Sequence, residues 1–201
     1  YRFGVAYAAY PGETPVFTSG VPIVGWKRLE RPEAGLAPDL TAMVWVADVP
    51  RDLERFHTLY GDSRRLPRAR GKGTTPAKRY PRQRTGDWRT TLEFRAGTLK
   101  NWPNLPDVEV FIVPQYPWVS NILPLASVDE AAGVARTSVA ATYPMGQAYF
   151  GRFPDGTMWV ENVLEELDEE GEWVVDFQRR KIFLMPVGNQ PPDKIFAPRL
   201  T

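Results

Sequence analysis

The chain has 201 residues, of which 43% are hydrophobic, so it can bury the core of one large domain or two small ones. Its formal net charge of +1 provides no global attraction to nucleic acid or to anionic membranes. The absence of cysteine excludes disulfides and thiol-ligated metals, and no apolar run is long enough to form a transmembrane helix.

The 20 prolines and 16 glycines favour short strands joined by turns, because both residues interrupt helices. The N-terminal part predicts three short strands, at 1–7, 14–17 and 21–24, separated by tight corners such as Pro11-Gly12. Short strands with corners of this kind are typical of the rungs of a solenoid.

The middle of the chain reads as an antiparallel β region. Residues 42–47 form a nearly continuous apolar run, which predicts a strand that is covered on both faces. A hairpin is predicted at 56–68 around the turn residues 61–63, followed by an irregular surface loop at 69–86. Further strands are predicted at 90–94, 108–113, 122–126, 134–139 and 158–160.

Residues 161–186 combine a predicted helix with a predicted hairpin. Asn162 is placed to cap the helix, because Glu165 follows it by three residues, and Gly171 is placed to end it. After Gly171 the apolar period changes to two, which predicts a hairpin with its turn at 178–180. In that register Trp173 faces Met185 across the hairpin.

Charge is distributed unevenly along the chain. Residues 64–84 are basic and contain no Asp or Glu, whereas residues 161–172 are rich in both. One interpretation of the basic stretch, with Tyr80 interleaved, is a patch for nucleic acid or another polyanion. The near-neutral overall charge favours a second interpretation, a solvated loop that is partly complemented by the acidic residues.

Three stretches resemble, in the same order, parts of secreted bacterial right-handed parallel β-helix proteins. They are residues 10–17 (YPGETPVF) with Gly20 and Gly25-Trp26; residues 59–70 (LYGDSRRLPRAR), which end in an arginine-alanine-arginine signature; and Glu161-Asn162-Val163, Leu167-Asp168, Gly171-Glu172-Trp173, Asp176 and residues 195–198 (IFAP). This group includes proteins that resemble glycoside hydrolase family 141. The chain departs from the family pattern at Ser63, Glu170 and Arg180, where the family usually has glycine, proline and a turn glycine.

The resemblance implies a mainly β fold, a portion of a right-handed parallel β-helix with an inserted antiparallel β domain and a short helix-hairpin return segment. It assigns residues 1–37 to β-helix rungs, 38–160 to the inserted domain and 161–201 to the return. It also implies a secreted or periplasmic protein that degrades polysaccharide, with its catalytic carboxylates outside this chain. The implied partners are a polysaccharide or oligosaccharide and the rest of the same β-helix or a second copy of the chain. Neither nucleic acid nor a membrane is an expected partner.

The sequence assigns no catalytic residue, metal site or cofactor. Asp107 and Glu109 lie two apart on a predicted strand and so face the same side, as neighbouring acids of a glycosidase do, but solvated side chains at a strand start are the favoured interpretation. His57 is the only histidine, which excludes a multi-histidine zinc site. No phosphate-binding glycine loop or dinucleotide fingerprint occurs.

The candidate carbohydrate-binding residues are four aromatic residues in polar or proline-rich surroundings: Trp88, Trp102, Tyr116 and Trp118. In such places a flat ring can stack on the face of a sugar, although rings also anchor irregular loops. The tryptophans in strand-like contexts are predicted core residues: Trp26, Trp45, Trp159 and Trp173. Two other functions stay open, namely a noncatalytic carbohydrate-binding module and a structural element of a surface fibre or tailspike.

Overall fold

The computed structural model describes residues 4–15, 18–62, 64–81 and 86–199, and within them the protein is mainly β, as predicted. Thirteen short strands form three open antiparallel sheets, and the helical content of the described residues is limited to four short 3₁₀ helices. A parallel β-helix is not seen in the described part of the chain.

The three sheets are named A, B and C in this article, and all strands within them pair antiparallel. Sheet A has the order β1-β13-β4-β5, formed by Gly20–Pro22, Ile195–Pro198, Leu59–Gly61 and Arg64–Leu66. Sheet B has the order β11-β12-β3-β2, formed by Trp173–Asp176, Lys181–Leu184, Trp45–Asp48 and Lys27–Arg28. Sheet C has the order β10-β7-β8-β9-β6, formed by Met158–Glu161, Glu109–Ile112, Asn121–Asp129, Val134–Thr137 and Thr91–Glu93. The 3₁₀ helices are Pro38–Met43, Leu105–Asp107, Leu164–Glu166 and Val187–Asn189.

Sheet B is buried on both faces, which explains why its central strands are almost continuously apolar. On one face Trp173 and Ile182 pack with Leu59 of sheet A. On the other face Val174 and Phe183 pack against a separate apolar cluster formed largely by connecting segments. Sheet B therefore forms a middle layer of the molecule.

Sheet C has a core of its own. Val110 and Ile112 of β7 are fully buried, as is Met158 of β10, and Leu123 and Leu125 of β8 are nearly so. The buried apolar positions alternate with exposed or half-buried ones from Val110 to Ile112 and from Ile122 to Leu125, as expected for an antiparallel sheet that has one covered face, whereas Glu109 is buried next to Val110.

Residues 67–74 join sheet B to sheet C. The backbone N–H of Ala69 donates to the carbonyl of Trp173 at 3.0 Å, and that of Gly71 donates to the carbonyl of Val160 at 2.9 Å. The segment thus covers the edge strands β11 and β10 and satisfies backbone groups that would otherwise lack partners. The arginine-alanine-arginine signature lies within this joining segment.

The predicted helix that begins at Asn162 is wrong, because only one 3₁₀ turn forms, at Leu164–Glu166. Asn162 adopts a positive φ of 69° and is fully buried, and it does not cap the turn. Its side-chain amide donates to the carbonyls of Asp107 and Val175, at 2.9 and 2.7 Å, and its Oδ1 accepts from the N–H of Val175 at 2.8 Å. Asn162 therefore bridges sheets B and C, a role that competes with capping.

The predicted hairpin exists, but its register is displaced by one residue. Trp173 faces Leu184 rather than Met185, so the connection between β11 and β12 is the four-residue segment 177–180. Arg180 has a positive φ of 54°, which is costly for a residue with a side chain. Its guanidinium donates to three carbonyls of the facing loop, those of Val49, Pro50 and Leu53, and these bonds oppose that cost.

The remaining strand predictions were met to different degrees. Strands form at Thr91–Glu93, Glu109–Ile112, Asn121–Asp129, Val134–Thr137 and Met158–Glu161, close to the predicted places, and a hairpin joins Leu59–Gly61 to Arg64–Leu66. The strand predicted at 42–47 is shorter, because residues 38–43 form a 3₁₀ helix. Residues 4–15 contain no strand, and the predicted strand residues 1–3, 16 and 17 and the turn residue Ser63 lie outside the described residues.

Strand pairing crosses both of the predicted domain boundaries. β3, which lies within the predicted inserted domain 38–160, pairs with β2 on one side and with β12 on the other. The division at 37/38 and 160/161 stays a prediction. Within the described residues, no helix has the length and apolar character that crossing a membrane requires.

Candidate functional site

Two connecting loops meet at one end of sheet C, because three strand ends lie side by side there. Ile112 pairs with Met158 on one side and with Asn121 on the other. The loop 113–120 joins β7 to β8, and the loop 138–157 joins β9 to β10. Both loops therefore begin or end at this row of paired residues, which places them next to each other.

The two loops carry five aromatic side chains that contact one another, called here the aromatic cluster: Tyr116, Trp118, Tyr143, Tyr149 and Phe150. The rings of Tyr116 and Trp118 are stacked with centroids 5.4 Å apart, and Tyr143 and Tyr149 meet Tyr116 edge to face at 5.2 and 5.3 Å. Phe150 lies 5.4 Å from Trp118. Trp118 is 60% exposed and Phe150 is 51% exposed, so the cluster presents rings to solvent.

Hydrogen bonds between the two loops, some buried and some exposed, hold the loops together. The backbone N–H of Gln115 donates to the carbonyl of Pro144 at 3.0 Å, and the carbonyl of Gln115 accepts from the N–H of Tyr149 at 2.9 Å. Asn121 and Thr142 exchange two further hydrogen bonds, at 2.9 and 3.2 Å. This bonding fixes the backbone on which the rings stand, a requirement for a preorganised binding surface.

The structure brings together two of the four predicted carbohydrate-binding residues, Tyr116 and Trp118. Trp88 is half-buried and stacks on Tyr80, with ring centroids 4.6 Å apart. Trp102 lies in the core of sheet C, 7% exposed, so it offers no open ring face for a sugar.

The indole of Trp102 has an evident structural partner. Its Nε1–H donates to Glu165 at 3.1 Å, and Lys100 pairs with the same carboxylate at 2.9 Å. Burial opposes ionisation of Glu165, but these hydrogen bonds and the Lys100 charge lower the pKa of the carboxyl below its ordinary value. Trp102 and Glu165 thus stabilise the contact between the 102–105 region and the acidic segment.

Sequence reasoning did not identify Tyr143, Tyr149 and Phe150 as candidates. All three lie in a stretch rich in small residues, residues 142–151 (TYPMGQAYFG), which resembles the surroundings that made Trp118 a candidate. An aromatic residue beside proline or glycine outside a strand is a criterion that includes Tyr143, before Pro144, and Phe150, before Gly151, but not Tyr149. Their contact with Tyr116 depends on the pairing of β7, β8 and β10, which the sequence does not display.

The predicted core tryptophans divide in two. Trp173 is fully buried, as predicted, and stacks against Phe56 at 5.8 Å. Trp26, Trp45 and Trp159 are only half-buried. Trp159 lies in the edge strand β10, whereas Trp45 lies in β3, between β12 and β2, and Trp26 precedes β2.

Asp107 and Glu109 are both buried at the opposite end of β7 from the aromatic cluster, which contradicts the predicted solvated side chains. The carboxylate of Asp107 accepts from Arg55 and from the backbone N–H of Phe177, each at 2.8 Å. Glu109 pairs with Arg68, and the half-exposed His57 lies 3.4 Å from the same carboxylate. Both acids are therefore engaged in ion pairs within the protein.

Burial opposes the ionisation of Glu109, but hydrogen bonds from His57 and Arg68 and the charges of both lower its pKa from 4.5 to about 2. A general acid must hold a proton near the working pH, so a carboxyl group with this pKa cannot serve as one at neutral pH. Asp107 and Glu109 act as structural partners of Arg55 and Arg68.

Two arginines of the basic stretch contact aromatic rings of the protein. The guanidinium of the nearly buried Arg68 side chain lies 5.7 Å from the Trp173 ring, and that of the exposed Arg70 lies 5.1 Å from the Trp159 ring. Arg82 and Arg84 lie outside the described residues.

Among the described residues, no group of three or more His, Cys, Asp or Glu side chains has a metal-binding arrangement.

A groove of about 560 Å³ lies elsewhere, between sheet A and residues 186–195. Asp62, Arg64 and Asp193 contribute to its walls, and its described lining contains no aromatic side chain. Since sugar faces bind best to flat rings, the aromatic cluster is the stronger candidate for a carbohydrate site.

Comparison with known proteins gives one structural likeness. A solved structure named "Glycoside hydrolase" matches this chain with a TM-score of 0.58 and 22% sequence identity. The match covers 90% of this chain and 31% of that chain, so this chain spans about a third of the length of that protein. No protein-family profile and no curated protein sequence matches the chain. At this level of identity the likeness shows a shared fold.

Proposed function

We propose that this chain is part of a carbohydrate-active protein and that its aromatic cluster contacts polysaccharide. One observation carries the proposal: Trp118 and Phe150 expose more than half of their surface while they touch each other and are supported by three tyrosines. Covering a water-exposed aromatic ring with an apolar surface lowers the free energy, and the C–H face of a sugar ring is such a surface.

The protein we propose is a polysaccharide-degrading glycoside hydrolase with a right-handed β-helix, of the type of family 141, secreted or periplasmic. The ordered motif resemblance supports this proposal, and so does the name of the solved structure that shares the fold. In this proposal the chain supplies framework and substrate contacts, and the acid and base lie elsewhere in the protein. The internal ion pairs of Asp107 and Glu109 support that division of labour.

The same ion pairs favour a second candidate function, a noncatalytic carbohydrate-binding module. A module of this kind holds polysaccharide but releases no reducing sugar. A reducing-sugar assay on the same polysaccharides separates the two candidates, because hydrolysis by this chain alone contradicts the assignment of its carboxylates to structural roles.

The proposal is tested by electrophoresis in native gels that contain one polysaccharide each, with Trp118→Ala as the variant. Loss of one stacking ring is expected to weaken binding about three- to tenfold. Tyr10→Ala is the matched control, because Tyr10 is 74% exposed and lies outside the cluster. We expect this control to migrate as the wild-type protein does.

Two results contradict the proposal. One is a protein that no polysaccharide retards, and the other is an equal effect of Trp118→Ala and Tyr10→Ala. Stacked assemblies that form without any sugar binding favour the fibre or tailspike alternative instead.

A further inference from the structure

We propose that the aromatic cluster binds an acidic polysaccharide, one that carries carboxylate or sulfate groups. This inference rests on the proposed function and adds the charge class of the ligand. It is supported by the set of basic residues around the cluster. These residues play no part in the argument that Trp118 and Tyr116 contact sugar.

The loop 113–120 (VPQYPWVS) contains no charged residue, and the loop 138–157 contains two, Arg152 and Asp155. Arg152 follows Phe150 by two positions and is exposed. Asp155 offsets the charge of Arg152 within this loop, so a positive local charge depends on basic residues from other segments.

Two further arginines reach the cluster from other segments. The Arg79 guanidinium lies 5.6 Å from the centroid of the Tyr149 ring and donates to the carbonyl of Ala148 at 2.8 Å. The Nε–H of Arg89 donates to the carbonyl of Ala141 at 2.6 Å, two residues before Tyr143. Arg79 is thereby held against a ring of the cluster, and Arg89 is held against the loop that carries three of its rings.

These arginines have not been neutralised by the protein. Across residues 4–15, 18–62, 64–81 and 86–199, no carboxylate lies within 4 Å of a nitrogen of Arg79, Arg89 or Arg152, whereas Lys78 pairs with Glu93 at 2.5 Å. A guanidinium that donates only to a carbonyl keeps its charge and further N–H groups for a ligand. Its planar arrangement of donors suits a carboxylate or a sulfate.

Rings and cations together select for a ligand that has an apolar face and an anionic edge. A sugar ring with a carboxylate or sulfate substituent has both, since its C–H face can cover Trp118 while the substituent reaches an arginine. A neutral sugar uses only the ring. The charge class of the ligand then depends on the arginines and its sugar character depends on the cluster.

Nucleic acid is the competing polyanion, and the charge of the chain argues against it. Domains that bind nucleic acid usually have an isoelectric point above about 9, whereas this chain has a value of 8.1 and a net charge of +1. Arg68, which the sequence would place in a basic patch, is paired with the buried Glu109, and Arg70 stacks on the Trp159 ring.

The experiment compares matched pairs of polymers in native affinity gels. Polygalacturonate is paired with its fully methyl-esterified form, and dextran sulfate is paired with dextran. We expect each bound acidic polymer to retard the protein more than its neutral partner does. Comparison of the polygalacturonate pair with the dextran sulfate pair identifies whether the arginines recognise carboxylate or sulfate. Retardation by the acidic polymer should fall when NaCl is raised from about 0.05 M to about 0.5 M, because exposed charges are screened.

Three variants assign the effect to the cluster. Arg79→Gln and Arg152→Gln should each weaken binding to the acidic polymer about two- to fivefold, and should weaken binding to the neutral polymer less. Arg31→Gln is the matched control, an exposed arginine in the connection before β3. Arg152 has no hydrogen bond to another described residue, so Arg152→Gln keeps the test valid if loss of the Arg79 contact disturbs its loop.

Equal retardation by both members of each pair overturns the charge inference and leaves the proposed function standing. The inference is also overturned if Arg79→Gln and Arg152→Gln bind the acidic polymer as tightly as the wild-type protein does. Tighter binding of single-stranded DNA than of any acidic polysaccharide overturns it as well. Failure of every polysaccharide to bind refutes the proposed function itself, which separates the two failures.

Discussion

The two ends of β7 use their side chains in opposite ways. At the first end, Glu109 is buried with Arg68, and the buried Asp107 pairs with the half-exposed Arg55. At the other end, four residues away along the strand, loops display Trp118 and Phe150 to solvent. Polar groups are therefore inside at one end, and apolar rings are outside at the other.

This contrast separates structural from functional chemistry in sheet C. A buried ion pair is costly to break, because the partner that remains is a charge without water or a counter-charge. An exposed aromatic cluster costs free energy in the folded protein unless something covers it, which marks it as a contact surface. A pair of carboxylates is the usual first candidate for a glycosidase site. Here the pair, Asp107 and Glu109, lies at the end of β7 where the side chains form ion pairs, called here the structural end.

The largest expected effect is that of Trp173→Ala at the structural end. Trp173 is fully buried between sheets A and B, so we expect the free energy of unfolding to fall by about 3 to 5 kcal/mol through the cavity left behind. Urea denaturation measures this loss. An unchanged midpoint means that the ring is exposed in solution and makes Trp173 a candidate sugar contact.

Arg68→Met should be the next most severe change. It leaves Glu109 buried with only His57 beside it, and removal of one partner of a buried pair typically costs about 3 kcal/mol or more. Arg65→Met, in the exposed edge strand β5, is the matched control and should cost little. If both variants lose the same free energy of unfolding, the ion pair of Arg68 with Glu109 does not stabilise the fold.

Asn162→Ala tests the bridge between sheets B and C. The change leaves two carbonyls and one N–H without their buried partner, so we expect a loss of about 1 to 3 kcal/mol in the free energy of unfolding. Hydrogen exchange of the Val175 amide provides a local readout and should become faster. Protection of that amide at the wild-type level contradicts the bridging role.

Acid should weaken the structural end selectively. The folded pKa of Glu109, about 2, lies below its ordinary value of 4.5, so its contribution to stability is complete above pH 4.5 and is lost as the pH falls toward 2. Melting temperatures across that window should fall for the wild-type protein. In Arg68→Met the fall attributable to Glu109 should be smaller, because the pair that lowers its pKa is gone, and parallel curves for both proteins contradict this assignment.

The smallest expected effect on stability is that of Trp118→Ala. With 60% of its surface exposed, the side chain contributes little to the core, and the free energy of unfolding should change by less than about 1 kcal/mol. The same variant should lose polysaccharide binding, so stability and binding move separately. A loss as large as that of Trp173→Ala makes Trp118 a packing residue instead.

Much of the local structure was predictable, because strand periodicity and turn residues act over a few positions. The strands around residues 91–93, 109–112 and 134–137 and the hairpin after Leu59 followed from such patterns. The helix at Asn162 failed for a specific reason: its amide group satisfies backbone groups of Asp107 and Val175, which lie far away in sequence. Capping rules describe neighbours along the chain and contain no information about such distant partners.

The same limit applies to the candidate site. Trp118 and Tyr116 were recognisable from their proline-rich surroundings, yet Trp102 in a similar context is buried, with its indole bonded to Glu165. Exposure depends on which loops a sheet brings side by side, and that is a property of strand order. Composition alone ranks these rings equally.

The sequence by itself determined a mainly β protein with short strands, a buried Trp173 and a set of candidate rings, because alternation, turns and apolar content are local properties. Only the tertiary structure decided that Glu109 is held by Arg68, that Arg180 anchors a facing loop, and that two distant loops assemble the aromatic cluster. The physical reason is that ion pairs, buried hydrogen bonds and ring contacts join residues tens of positions apart, so their partners exist only after the sheets have paired.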